Sequence, residues 1–413
     1  MAKLDSSFTL QNGVLLKNRL VKSAMSEQLG DKQHNPVPGL AHLYGRWAKG
    51  GIGLSMTGNI MVDRTALGEP GNVVLDEKSD LSQFKKWAKA GTQNNTHLWS
   101  QLNHPGKQVP DFLSKEPVAP SAIGLEDGLA ANFKLPKALS ENEIREIINK
   151  FALSARLSKE VGFSGVQIHG AHGYLVNQFL SNRHNQRKDR WGGSLENRMR
   201  FVLEIYRAIR KEVGAAFPVG IKLNSADFMK GGFSEEESMQ VVQVLSDEGI
   251  DQIEISGGSY EKVVFIEGND SSAAPVKAST QKREAYFLDY AQKVREFTQV
   301  PLVVTGGFRS AQAMEEALVE DATDFIGVGR SLTLDPDFPE KVMTNQNHSI
   351  HLPPRTTGIK KIDKMMMMDV LWYQQQMVRM SNKQEPNPKM SEWGAIFKSI
   401  GGIGKYAFRR VRG

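Results

Sequence analysis

The stretch LVVTGGFRSAQAMEEALVEDATDFIGVGRSL, residues 302–332, reads as one strand–helix–strand unit. Leu302–Thr305 and Phe325–Val328 are short apolar runs, and residues 310–320 between them form an amphipathic stretch at helical spacing. Runs that are apolar on both faces belong to a buried parallel sheet, whose strands need crossover helices to join them. The same alternation repeats toward the N-terminus. Candidate strands lie at 20–23, 53–57, 97–101, 165–169, 219–223 and 252–256, and amphipathic stretches at 139–161, 195–213 and 234–248. Two helix starts carry a Ser with a Glu three residues on, Ser140 with Glu143 and Ser234 with Glu237, the spacing of a capping box. Eight strands, each followed by a helical segment, predict an α/β fold of the (β/α)8 TIM-barrel type. An open doubly wound sheet is the alternative, disfavoured because no GxGxxG turn follows the first strand. The barrel is expected to span 1–350, and 351–413 to form a helical, basic, Met-rich C-terminal extension.

Composition narrows the chemistry. Of 413 residues, 40% are hydrophobic and 24% charged, which supplies a large core and excludes disordered and collagen-like classes for most of the chain. Cysteine is absent, so disulfides, iron–sulfur clusters, thiolate zinc sites and a cysteine nucleophile are excluded. The sequence has no run of about 18 apolar residues, and its start, MAKLDSSFTLQNG, has no apolar signal-peptide core, so a cytoplasmic location is expected. The net charge of +6 is unevenly spread. From Arg355 to Gly413 there are 12 Lys and Arg against 4 Asp and Glu, a net of +8, which leaves −2 on the rest. Seven of the 16 methionines also lie there, including the run at 365–368.

A barrel carries its chemistry just past the C-terminal ends of its strands. The fourth strand runs into IHGAHGY, which places His169, His172 and Tyr174 within six residues. The imidazole pair admits three readings: a metal site, a structural pair, or a clamp on one developing oxyanion. A metal needs a third ligand, and no Asp or Glu follows before Asp189, so no metal is expected. The His-x-x-His-x-Tyr pattern favours function, with Tyr174 as a general acid. Arg183, Arg187, Arg190 and Arg198 in the following loop read as structural partners of carboxylates. Gln101, at the end of the third strand, either pairs with a flat heterocycle or caps a loop. Lys222, at the end of the fifth, could form a Schiff base or place charge beside a cofactor, but a structural ion pair is the safer reading. Strands seven and eight end in TGGFRS and GVGRS, so Gly306, Gly307, Gly329 and Arg330 form a candidate phosphate cup. A flat phosphorylated ligand such as flavin mononucleotide fits this set, although the pattern alone does not separate it from a phosphosugar.

The segments KNRLVKSAMSE, QLNHPGKQ, IHGAHGYLVNQFLSNRHNQRKDRWGGSLENR and TGGFRS…DFIGVGRSL closely resemble those of the Old Yellow Enzyme family over residues 5–345. The resemblance implies a (β/α)8 barrel with noncovalent FMN, reduced by NADH or NADPH. The flavin then passes hydride to the β-carbon of an α,β-unsaturated carbonyl compound or a similar small electrophilic acceptor. It further implies that His169 and His172 hold the acceptor oxygen and that Tyr174 donates the proton to the α-carbon. Gln101 and Lys222 would line the flavin ring, and Gly307, Gly329 and Arg330 the phosphate. Ser23, Ala24 and Met25 would run beneath the flavin. Ser26 stands where family members carry Thr or Cys tuning the flavin potential, and Gln28 where some carry Tyr near the substrate.

The tail lies outside this resemblance. MMMMDVLWYQQQMVRMSN reads as a helix with Met, Leu, Trp and Val along one side, broken by Pro386 and Pro388. SEWGAIFKSIGGIGKYAFRRVRG then interleaves aromatic and basic residues. The plain expectation is a helix packed on the barrel or in a contact between copies of a homo-oligomer. The sharper one is a peripheral anchor on anionic lipid. No nucleic-acid partner is expected, because the body of the chain is not basic.

Overall fold

The computed structural model of the protein describes residues 3–114, 116–126, 133–258 and 287–407. Eight parallel strands form the barrel: β1 Leu20–Lys22, β2 Leu54–Met61, β3 His97–Asn103, β4 Gly165–Gly170, β5 Val219–Asn224, β6 Gln252–Ser256, β7 Leu302–Thr305 and β8 Phe325–Val328. Each pairs with the next, and β8 pairs with β1 through Ile326 opposite Leu20, which closes the sheet. The outer helices are α1 Pro38–Lys49, α2 Leu81–Gly91, α3 Glu141–Val161, α4 Leu195–Val213, α5 Glu235–Asp247, α6 Leu288–Arg295 and α7 Ala311–Val319. Both expected capping boxes are made, Ser140 with Glu143 ahead of α3 and Ser234 with Glu237 ahead of α5.

The expected strands agree with the observed ones to within a residue, except that β2 runs on to Met61 and β3 to Asn103. Its register against β3 shifts between Met56 and Asn59, a bulge that re-aims the residues beyond it. A side chain left unmarked by the simple alternation, Asn59, is thereby carried to the mouth.

Inward-facing residues stack in layers. The lower one is apolar: Val21, Leu54, Met56, Trp99, Val303 and Phe325 pack together with Leu10 and Leu16 from an N-terminal hairpin of Phe8–Thr9 and Leu15–Leu16. The layer above is polar, and it is where the site begins.

The four loop arginines meet carboxylates: Arg183 with Glu126, Arg187 with Asp189 (2.6 Å), Arg190 with Glu204 (3.0 Å) and Arg198 with Glu237. The tail forms α8 Lys360–Met366, α9 Met368–Ser381 and α10 Glu392–Ala407. It differs from the single expected helix. Met367 adopts the left-handed conformation (φ +46°) and divides the methionine run. The buried side of α9 comprises Met368, Leu371, Trp372, Tyr373, Met377 and Met380 with three glutamines, whereas Val370 faces solvent. This helix packs on the barrel body, with Met377 and Met380 joining the main core. Trp393 and Phe397 on α10 are exposed. Arg409, Arg410 and Arg412 of the basic end lie outside the described residues. Among the described residues, no helix is long and apolar enough to cross a membrane.

Candidate active site

The polar layer is a continuous chain of hydrogen bonds. Gln101 Nε2 on β3 donates to Gln167 Oε1 on β4 (2.7 Å), and Gln167 Nε2 donates to Glu254 Oε2 on β6 (2.8 Å). Thr305 Oγ1 on β7 donates to Glu254 Oε1 (2.8 Å) and lies 2.7 Å from Ser23 Oγ. The links from β4 to β6 and from β7 to Ser23 each pass over an intervening strand, so they run through the barrel interior. Lys222 on β5 stands beside Glu254 in the sheet register and pairs with it at 3.0 Å. The ion pair expected from the strand is therefore present, and it lies in the polar layer. Burial alone would raise the Glu254 pKa. The Lys222 ammonium and the bonds from Gln167 and Thr305 outweigh that and hold the carboxyl below its usual range. Gln101 is buried, and one of its two amide N–H groups is engaged by Gln167.

Gly327 on β8 completes this layer by having no side chain. A Cβ there would stand 1.9 Å from Thr305 Oγ1 and 2.7 Å from Ser23 Oγ. Gly327→Ala should displace both hydroxyls and cost about 1–3 kcal/mol, read as a lower Tm with weakened flavin retention. An unchanged Tm would contradict the packing described.

Above the belt stand the residues from the end of β4. The His169 and His172 rings are 5.2 Å apart at 83°, and the His169 and Tyr174 rings 4.8 Å apart at 71°. The three expected catalytic side chains thus converge. His172 adopts φ +60° and Gly173 φ +76°, a sharp turn at the strand end. Neighbours hold it: His172 N donates to Asn224 Oδ1 (3.2 Å), Gln108 Nε2 donates to His172 O (2.8 Å), and Gly173 N donates to Asn177 Oδ1 (2.7 Å). Asn177 and Asn224 are themselves fixed by Asp227 Oδ1, each at 3.0 Å. His172 Nε2 lies 2.7 Å from Ser256 Oγ. Tyr174 Oη accepts from Asn59 Nδ2 at 3.4 Å, so this contact does not use the phenol proton.

Burial, with Lys222 adding like charge, pushes His172 down to about 3. Burial, then His172 and Lys222, push His169 well below its usual value. Ala171 N donates to His169 Nδ1 (3.3 Å), so the neutral ring carries its proton on Nε2. Because both pKa values are depressed, the imidazoles stay neutral at neutral pH and charge only far into the acid range. Nitrogen NMR shifts of both rings should therefore hold constant from pH 8 to pH 5. Titration of either near 6.5 would refute this.

The remaining expected residues lie around the mouth. Ser23 N donates to Val328 O (2.9 Å), which ties the 23–26 segment to β8. Ala24 packs against the lower core. Met25 Sδ lies 3.5 Å from where a Cβ of Gly329 would stand. Gly306 and Gly307 follow β7 at φ +128° and +89°, which a side chain would resist, and Arg330 follows β8. Ser26 Oγ donates to the Glu69 carboxylate, and burial pushes the Glu69 pKa up. Beneath this segment Lys22 is fully buried. Its Nζ lies 2.7 Å from Met56 O, 3.0 Å from Tyr44 Oη and 3.7 Å from Glu27, and burial lowers its pKa to about 8.

Known proteins decide which barrel this is. Residues 4–349 match the model of the NADH:flavin oxidoreductase / NADH oxidase family. The chain belongs to this family, that of Old Yellow Enzyme. It is 39% identical over 368 residues to the NADH-dependent flavin oxidoreductase iliE of Hypocrea jecorina (strain QM6a), covering 84% of this chain and 90% of that protein. It is 32% identical over 344 residues to the NADPH dehydrogenase of Bacillus cytotoxicus (strain DSM 22905 / CIP 110041 / 391-98 / NVH 391-98), covering 82% and 91%. The structure of the old yellow enzyme homologue from Zymomonas mobilis shares the fold, with a TM-score of 0.70 at 22% identity over 85% of this chain and 95% of that one.

As an Old Yellow Enzyme family member the protein is an oxidoreductase that uses FMN with NADH or NADPH. Its donor set fits that cofactor. The buried amide of Gln101 and the cation of Lys222 suit the polar edge of a flavin ring. The glycine turn at 306–307 and Arg330 suit a phosphate. The sequence reading missed Gln167, Glu254, Thr305, Asn224 and Asn59. Thr305 was visible at a strand end, but Gln167 and Glu254 are marked only as polar residues between apolar neighbours inside their strands.

Proposed function

We propose that the protein is an ene-reductase that reduces α,β-unsaturated carbonyl compounds or similarly electrophilic acceptors. The observation that carries this reading is the convergence of His169, His172 and Tyr174 above the polar belt. Bound FMN would supply the hydride chemistry, from NADH or NADPH to the acceptor's β-carbon. His169, with its proton on Nε2, donates to the acceptor oxygen, and His172 provides the second contact on that oxygen. Neutral imidazoles polarise the oxygen by hydrogen bonding without having to lose a charge. Tyr174 gives its phenol proton to the α-carbon and recovers one from solvent. Lys222 places positive charge at the ring, with Gln101 beside it, and Ser23, Ala24, Met25 and Ser26 support it from beneath. Gly306, Gly307, Gly329 and Arg330 hold the phosphate.

Anaerobic turnover with an enone and deuterated NADH tests the proposal. Deuterium should appear at the β-carbon of the product and a solvent proton at the α-carbon. If enones, nitroalkenes and quinones all failed to reoxidise NADH-reduced protein, the reading would be wrong.

A further inference from the structure

The family match ends at residue 349, yet the tail reaches the mouth of the barrel. Gln374 Nε2 on α9 donates to the backbone oxygen of Glu27 at 3.4 Å, one residue past Ser26. Its neighbour Tyr373, only 3% exposed, faces Arg330, whose guanidinium carbon lies 5.7 Å from the ring centroid. Trp372 stands edge-on to Tyr373 at 5.2 Å and carries Arg355 over its own face at 3.6 Å. The Tyr373 hydroxyl lies near the Arg355 guanidinium without a hydrogen bond of good geometry among the described residues, and its ring is the part that faces Arg330. Burial pushes its pKa up and the two guanidiniums pull it back, in keeping with cations on both sides. Arg330 is thus backed by an aromatic wall that the tail contributes.

We propose that Tyr373 is a positioning residue for Arg330, so that helix α9 forms part of the phosphate end of the flavin site. The inference rests on assigning Arg330 to the phosphate. A wall behind the guanidinium restricts it to orientations facing the cup and withholds water from one face, and a cation over a tyrosine ring is itself favourable.

The test uses the full-length chain, stripped of flavin and titrated with FMN and with riboflavin, which lacks the phosphate. Tyr373→Leu keeps apolar bulk and removes the aromatic face. It should weaken FMN binding roughly three- to thirtyfold while changing riboflavin binding less than about twofold. Tyr373→Phe keeps the face and should bind FMN like the parent. Equal weakening of both ligands by Tyr373→Leu would show a merely structural role and overturn the proposal, as would a loss in Tyr373→Phe matching that in Tyr373→Leu. Arg330→Met separates the two layers of the argument. If it leaves the FMN-to-riboflavin preference intact, the phosphate assignment fails. If it abolishes that preference while Tyr373→Leu does not, only the role of the tail fails.

Discussion

Tyr174→Phe is expected to slow acceptor reduction by about a hundred- to ten-thousandfold, the range over which a positioned general acid contributes. Reduction by NADH or NADPH should be unaffected, because that half-reaction needs no proton at the α-carbon. The substitution is structurally mild. The ring keeps its edge contact with His169, and the hydrogen bond from Asn59 that it forfeits is long at 3.4 Å. A loss of rate without a loss of Tm would therefore report on chemistry. Rapid mixing resolves the two half-reactions: bleaching by reductant, then return of colour with an enone. Equal slowing of both, or of neither, would remove Tyr174 from the role of proton donor.

The second large effect concerns stability. Glu254→Gln should destabilise the protein by about 3–5 kcal/mol, the usual consequence of removing one partner of a buried ion pair. Glu254 is fully buried, and Lys222 is 4% exposed and sits within hydrogen-bonding distance of it. With the carboxylate gone, the ammonium is left in a dry layer with no counter-charge. Thr305 and Gln167 must also share a weaker acceptor. A second substitution, Lys222→Met, should recover much of the lost stability, because two neutral groups of similar volume cost far less than one unpaired charge. On the role proposed for the Lys222 cation, it should not recover flavin binding. Urea unfolding of the two singles and the double closes the cycle. Additive losses would show that the two residues are not a coupled pair.

The barrel was largely legible in the sequence because its determinants are local. β7 and β8 follow short apolar runs, and the Ser–Glu spacings mark the starts of α3 and α5. His169, His172 and Tyr174 were legible for the same reason, lying within six residues at a strand end. What holds them was not. Asn224 and Asp227, which fix the turn at His172, come from more than fifty residues downstream, and Glu254 reaches Gln167 across 87 residues. Such partners are brought together by barrel closure, and nothing in the spacing of one segment announces the other. Asn59 was hidden by the bulge in β2, which breaks the alternation used to orient a strand. Lys22 defies the expectation that lysine faces water. It is sustained by a buried glutamate, a phenol and a carbonyl contributed by other elements, and by the faces of Tyr44 and Trp47. In the tail, the break at Met367 falls in a run of four methionines with no glycine or proline to signal it.

The pairing of β8 with β1 joins residues about 300 positions apart, and α9 returns still later to touch the segment after β1. A ribosome makes these partners in strict order, at about 5–20 residues per second. During synthesis the first strand can pair early with β2, but its other edge must wait for β8 until nearly four-fifths of the chain exists. The nascent barrel is an open sheet, and open edges invite mispairing and aggregation. The apolar floor supplied by the N-terminal hairpin gives that waiting strand an early partner, packing Leu10 and Leu16 against Val21 before any neighbour of β1 in the sheet has been made.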